Sequence, residues 1–491
     1  MRLSKMFKNA PTTNITGLCF DSRKVKPGDM YFCLPGLVHD GHEFIDQAVD
    51  AGAIAIVHSK DLHHRKEGAI YLKVDDVNAA MNMAAKIFYN RPAEKMKMFG
   101  ITGTNGKSSV ANIIRHLDGE DVPTGYIGTI AIAYGQTVLS PDLTTPDPIF
   151  LERTLNDMSN AHMEACALEC SSHGLAQGRL DAIDFDVVIF TNFTYDHLDY
   201  HGTMDNYFSA KSILFSDRVK PDGVCVLNAD DPKSEELRQL CTARVVSYGI
   251  QNAADYRAIN VSLDHHGTHF TLVHAGNTYP VTSNLVGEFN VSNLLAALAG
   301  VVEAGLPIEK AIERCTNIPK IPGRLEQISL GQPFNVIVDF AHTPDGLEKV
   351  MQLGRSLCKP GGSLIAVFGS AGQRDKAKRP VFGQMAQKYC DALFLTEDDP
   401  RDEDPAKIAD EIRSGLNGLS SVFIADRYEA IRQAIESAQD GDTVLILGKG
   451  DEPFMYREHG RAPWIGDNVA AKECIERVMK DKHTQEESQA A

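Results

Sequence analysis

The stretch Phe99-Gly-Ile-Thr-Gly-Thr-Asn-Gly-Lys-Ser-Ser-Val110 constrains the fold of this chain more than any other. An apolar entry at Met98-Phe99 runs into a glycine-rich turn, and Gly106-Lys107-Ser108 then opens the apolar helical run Ala111 to Leu117. Strand, glycine turn and helix in that order cradle phosphate. Glycines let backbone N–H groups approach an anion, the helix N-terminus adds partial positive charge, a lysine reaches the outer phosphates and a serine hydroxyl suits Mg²⁺. The spacing departs from G-x-x-x-x-G-K-[ST]: Ile101 stands five residues before Gly106, and the available glycines are Gly100 and Gly103.

A chain of 491 residues is long enough for roughly three domains. Its hydrophobic content of 43% and charged content of 23% are those of an ordinary globular protein, and no apolar run is long enough to span a membrane. The first residues carry positive charge without an apolar segment behind them, so a cytoplasmic location is expected. Ten scattered cysteines without C-x-x-C spacing read as reduced thiols. A net charge of −17 argues against a general nucleic-acid or anionic-membrane binder and requires positive charge at any anion site to be local.

Strand-like and helical segments alternate along the chain, which predicts an α/β protein of three domains with mostly parallel sheets. Residues 1–95 read as a small N-terminal α/β unit, with a helix expected over 42–49; residues 96–322 as a central domain built on the phosphate loop; residues 323–491 as a Rossmann-like C-terminal domain with a frayed polar tail. In the central domain, Glu169 closes the apolar run from Cys166 and so projects from a strand end. The run Asp186 to Phe190 leads into Thr191-Asn-Phe-Thr-Tyr-Asp-His-Leu-Asp-Tyr-His201, dense in Asp and His where α/β proteins place ligands. A hard cation takes oxygen ligands, with imidazole possible in addition. Ser171-Ser172-His173 invites a hydrolase reading, but no G-x-S-x-G elbow accompanies it. Lys211 lies near the apolar side of a helical run, a spacing usual for a snorkelling surface lysine.

Taken together, these residues resemble the Mur ligases, ATP-dependent enzymes that build the peptide of peptidoglycan, over nearly the full length. Within them the resemblance is to the enzyme that adds the third residue to UDP-N-acetylmuramoyl-L-alanyl-D-glutamate. Motifs in the family's order carry it: Asp21-Ser22-Arg23, Asp40-Gly41-His42, Thr102 to Ser108, Thr144-Thr145-Pro146, Glu169 to Arg179, Asn192 to His201, Asn290 to Asn293, Pro322 to Glu326, Arg374-Asp375 and Asp398 to Arg401. The displaced glycine of the phosphate loop is the family's own form.

The resemblance implies roles. Gly103, Thr104, Asn105, Gly106, Lys107, Ser108 and Ser109 would bind ATP; Asn290, Asn293 and Arg324 would lie near adenine or phosphate, and Asp339 and Arg374 near ribose or the domain joint. Ser22 would touch UDP, and Thr144, Thr145, Ser171, Gln177 and Arg179 would hold the muramoyl dipeptide. Lys107, Glu169, His197 and Lys211 would be catalytic; Ser108, Glu169, His197 and Lys211, carbamylated by CO₂, would hold Mg²⁺. The chemistry implied is an acyl phosphate formed from ATP and then attacked by an amine, with the C-terminal domain closing as a lid because water destroys such an intermediate. The protein is expected to act as a monomer.

Asp398, Asp399, Arg401, Gly448 and Glu452 would receive the incoming diamino acid, L-lysine or meso-diaminopimelate. In the family an asparagine stands at position 399 when that residue is diaminopimelate, and Asp451 replaces a usual histidine. Arg401 favours a distal carboxylate, whereas Asp399 suits a lone distal ammonium. The alternatives are a folylpolyglutamate synthase-like ligase and a non-catalytic nucleotide-binding regulator.

Overall fold

The computed structural model describes residues 1–36, 39–119, 121–264 and 267–490, with side chains not described at 264 and 481–490. Leu37 and Val38, in the N-terminal loop between Gly36 and His42, lie outside the described residues. Among the described residues, one parallel sheet and two mixed, mainly parallel sheets follow one another along the chain, with a separate antiparallel hairpin of Phe454–Arg457 and Gly460–Pro463.

The first has four parallel strands, Gly17–Cys19, Asp29–Phe32, Ala55–His58 and Ile70–Lys73. The helix expected over 42–49 is divided: Asp40 accepts from His42 N and caps a 3-10 turn over Gly41–Phe44, so the α-helix begins only at Ile45. Helix Val77–Phe88 joins this unit to the centre. Asn78 donates through Nδ2 to Gln177 O at 3.0 Å and Asn82 to Gly178 O at 2.9 Å.

The central sheet has eleven strands. Seven consecutive parallel strands form its core, in the order Thr124–Ile127, Ala165–Glu169, Lys97–Thr102, Phe185–Phe190, Val219–Asn228, Arg244–Gly249 and Tyr256–Asp264. The strand that enters the phosphate loop is therefore flanked by the strand ending in Glu169 and the one ending in Phe190. Ile101 pairs with Glu169 and Thr102 with Phe190. Helix Lys107–Asp118 buries Val110, Ala111, Ile113, Ile114 and Leu117 on one face and packs against helix Glu288–Glu303. Burying each large side chain of that face contributes roughly 1.5–3 kcal/mol.

The third sheet orders Glu326–Ile328, Asn335–Asp339, Thr443–Leu447, Leu364–Phe368, Ala392–Leu395 and Ser421–Phe423, all parallel except the antiparallel edge strand Glu326–Ile328. Its carboxyl ends gather Asp339, Gly448, the loop after Phe368 and the turn Glu397 to Arg401, as strand–loop alternation requires. The last helix runs Asp467–Ala490; Asp467 at its start is held by Arg427, and its first turns join the core. All ten cysteines are free thiols. Among the described residues no helix is long and apolar enough to cross a membrane.

Candidate active site

The phosphate loop is shaped by contacts that exclude a side chain at its first glycine. Gly103 has φ +147°, and a Cβ there would stand 1.9 Å from Thr191 Oγ1. Thr191 and Asn192, which follow strand Phe185–Phe190, hold the loop from below. Thr191 Oγ1 donates to Asn105 O at 2.6 Å, and Asn105 N donates to Asn192 Oδ1 at 2.9 Å.

Two lysines converge on one carbonyl. Lys107 Nζ donates to Gly103 O and Thr104 O at 3.0 Å each, and Lys211 Nζ donates to Gly103 O at 2.7 Å. Lys211 is 2% exposed, on helix Met204–Ser216, with its ammonium position over the Tyr207 ring. It is no snorkelling surface residue. Burial and the neighbouring Lys107 charge push its amine well below the usual lysine range, and burial lowers Lys107 as well.

Glu169 is fully buried and faces this pair from the adjacent strand. It accepts from Tyr126 OH at 2.6 Å, Thr129 N at 3.0 Å and Thr129 Oγ1 at 3.2 Å. His197 sits in the left-handed region, φ +55°, and burial holds its imidazole well below the usual histidine range despite Asp196 at 3.3 Å. Burial acts against the Asp196 charge, but His197, His342 and Lys378 outweigh it and lower the carboxyl to about 2. Ser108 is buried in the first turn of helix Lys107–Asp118.

The other expected nucleotide residues gather at the joint with the third domain. Asn293 donates to Asn290 Oδ1 at 3.1 Å and lies against Gly106. Arg324 stacks over Phe340 at 4.2 Å, and Asp339 accepts from Leu325 N and Ala341 N at 2.8 Å each, anchoring that segment. Arg374 reaches Asp199 at 3.2 Å.

The residues expected to hold the dipeptide form one network. Thr145, fully buried, donates to Glu169 O at 2.7 Å and accepts from Ser171 N; its carbonyl accepts from Arg179, which also donates to Gln177. Thr144 and Thr129 hydroxyls stand 3.0 Å apart. Ser171 caps the short helix after it by accepting from Gly174 N at 3.0 Å. Ser22 is buried in the first unit, where its hydroxyl donates to Gln47 at 3.1 Å; the hydrogen bonds from that unit to Gln177 and Gly178 come instead from Asn78 and Asn82.

At the third sheet, Asp399 and Arg401 both take left-handed backbone, φ +45° and +51°. Gly448 is required to be glycine: a Cβ would meet Asp398 Oδ2 at 2.3 Å. Asp399 Oδ1 accepts from Lys449 Nζ at 2.9 Å and from Tyr456 N at 2.8 Å, and Lys449 also pairs with Glu452. Arg401 donates to Gly372 O at 2.8 Å and lies over the Tyr456 ring; among the described residues it has no carboxylate partner. Sequence reasoning missed Tyr126, Thr129 and Lys449. Only Lys449, between the glycines 448 and 450, left a signal.

A buried, pre-shaped phosphate loop, a strand-end carboxylate and a buried lysine whose amine burial pushes well below the usual lysine range define a phosphoryl-transfer site between domains. Family models match along the chain: the Mur ligase family catalytic domain over 14–89, the Mur ligase middle domain over 101–301 and the Mur ligase glutamate ligase domain over 323–450. The chain belongs to the Mur ligase family and is an ATP-dependent peptide ligase.

Within that family it is similar to UDP-N-acetylmuramoyl-L-alanyl-D-glutamate–2,6-diaminopimelate ligases. That of Geobacillus thermodenitrificans is 39% identical over 467 residues, covering 93% of this chain and 92% of the relative. That of Listeria monocytogenes serotype 4b is 38% identical over 484 residues, covering 96% of each. A solved structure of a ligase of that name aligns with a TM-score of 0.68 and 30% identity, covering 97% of this chain and 99% of the other.

Proposed function

We propose that the chain joins meso-diaminopimelate to UDP-N-acetylmuramoyl-L-alanyl-D-glutamate at the expense of ATP, in the cytoplasm and as a monomer. The observation that carries the choice of amino acid is Arg401, which among the described residues has no carboxylate partner and lies beside acids paired with Lys449 and Arg427. Its planar fork suits the distal carboxylate of diaminopimelate, which L-lysine lacks. The relatives named for diaminopimelate support the same reading.

In the reaction the glutamate carboxylate of the dipeptide attacks the γ-phosphorus of ATP, giving an acyl phosphate and ADP. The amine of diaminopimelate then attacks the acyl carbon, and phosphate leaves with the C–O bond. Lys107 exchanges its two loop carbonyls for the phosphate oxygens and neutralises charge on the transferring group. The Thr145 and Arg179 network positions the dipeptide beside Glu169.

The donor set fits a hard dication: Glu169 and Ser108 offer oxygens, and His197 is held neutral. Ser108, Glu169, His197 and Lys211 would hold Mg²⁺, which supplies charge neutralisation around the phosphoryl group. Burial lowers the Lys211 amine, and the unprotonated amine is the form that attacks CO₂, losing a proton as the N–C bond forms. The resulting carbamate at Lys211 would lie beside the Lys107 cation.

The test is phosphate release together with mass spectrometry of the product, using ATP, the UDP-muramoyl dipeptide and a panel of amino acids. Product with meso-diaminopimelate is expected. No release with any amino acid, or L-lysine preferred over diaminopimelate, would overturn the proposal.

A further inference from the structure

The amino-acid pocket contains more acids than its chemistry uses, and Lys449 determines which of them remain available. Its side chain is 1% exposed, its ammonium lies 5.0 Å from the Phe454 ring centre, and it binds one oxygen of Asp399 and one of Glu452. Burial opposes its charge, but Glu452, Asp399 and Asp398 outweigh that and hold the ammonium above the usual lysine range.

The remaining acids are disposed of in other ways. Asp467 is taken by Arg427 in a pair with no exposed surface. Asp398, tucked under Gly448, is raised by burial, and Glu452 is raised by burial to about 6. Asp399, Glu452 and Asp467 are therefore compensated from within, while among the described residues Arg401 has no carboxylate partner.

We propose that Lys449 is a specificity-determining positioning residue: by occupying Asp399 and Glu452 together, it prevents them from holding a lone side-chain ammonium and leaves Arg401 to select a distal carboxylate. The inference rests on the proposed ligase reaction. A zwitterionic distal group gains a contact between its carboxylate and Arg401. L-Lysine brings only a second cation next to Arg401 and Lys449. Without Lys449, two half-buried carboxylates lose their cation, and a lone ammonium supplies one.

Steady-state kinetics on the full-length enzyme, with meso-diaminopimelate and with L-lysine, test this through the ratio of the two kcat/KM values. The wild-type arm tests the ligase reading, and the variants test the inference. K449M is expected to move the ratio at least about tenfold toward L-lysine, while K449R keeps it within about threefold of wild type. The double variant D399N/K449M removes both charges and is expected to return to within about threefold of wild type.

Equal losses for both amino acids in K449M, with ATP-analogue binding retained, would mean a merely structural lysine and overturn the inference. Should K449M fail to fold, the double variant decides alone. A ratio moved about tenfold further toward diaminopimelate would show that Asp399 itself receives the substrate ammonium, which also overturns it.

Discussion

Glu152 illustrates how a single buried group sets a stability profile that function does not explain. It is 1% exposed on helix Pro148–Asn160, with neither carboxylate oxygen hydrogen-bonded, and burial pushes its carboxyl up from 4.5 to about 8. The nearest charges acting on it, Lys86 and Glu94, are paired with each other. Above about pH 4.5 the unfolded chain loses a proton that the folded protein keeps, so stability is greatest below that value and falls as pH rises through about 8. E152Q mimics the protonated form. Denaturant melts should show it equal to wild type near pH 4.5 and more stable by about 3–5 kcal/mol near pH 8.5. Equal pH slopes for the two proteins would refute this account. Lys211 belongs to the same scale: its buried position beside Lys107 pushes its amine well below the usual lysine range.

Elements are fastened to one another by few side chains, and Arg427 is the clearest case. It opens helix Arg427–Ser437, forms a two-bonded pair with Asp467 at the start of the last helix, and donates to Glu397 O at 3.1 Å and Leu447 O at 2.8 Å. Two helix starts and two strand ends thus meet at one guanidinium, directly beneath the turns that carry Arg401 and Lys449. Such a pair adds little over a well-packed apolar pair, but removing one partner leaves a buried charge. R427M is expected to lose about 3–5 kcal/mol in urea melts, and R427M/D467L to recover most of it. Recovery absent from the double variant would place the cost in packing instead.

The whole molecule is held in its present arrangement by polar contacts that cross between domains. Asn105 of the phosphate loop donates to Asp345 at 2.9 Å and accepts from Thr343 at 3.2 Å; Arg374 reaches Asp199, and Arg461 reaches Asp142 at 2.8 Å. Hydrogen bonds of this kind at a joint are individually weak and can be remade, which suits closure over an intermediate that water would destroy. Small-angle scattering should show the radius of gyration falling when ATP analogue and both substrates are added. N105A should reduce that compaction and raise the KM for ATP about three- to tenfold, with the melting temperature nearly unchanged. A radius indifferent to ligands would rule out the lid.

Sequence alone determined the layout: three α/β units, the phosphate loop after an apolar strand, and Glu169 and the Asn192–His201 segment at strand ends. Those features are local, because glycine placement and apolar periodicity act over a few residues. Depth and partnership were decided only in three dimensions. The spacing around Lys211 tells which face of its helix it occupies, not that Gly103 O and Lys107 close over it. Asp399 reads as a free negative charge until Lys449, 50 residues later, is seen beside it. The two oxygens of Glu152 are buried and unpaired, a state that only its packing within the fold sets. Electrostatics and desolvation depend on what the fold brings within a few ångströms, so the chain announces a phosphate site by itself while the choice of amino acid waits on tertiary contact.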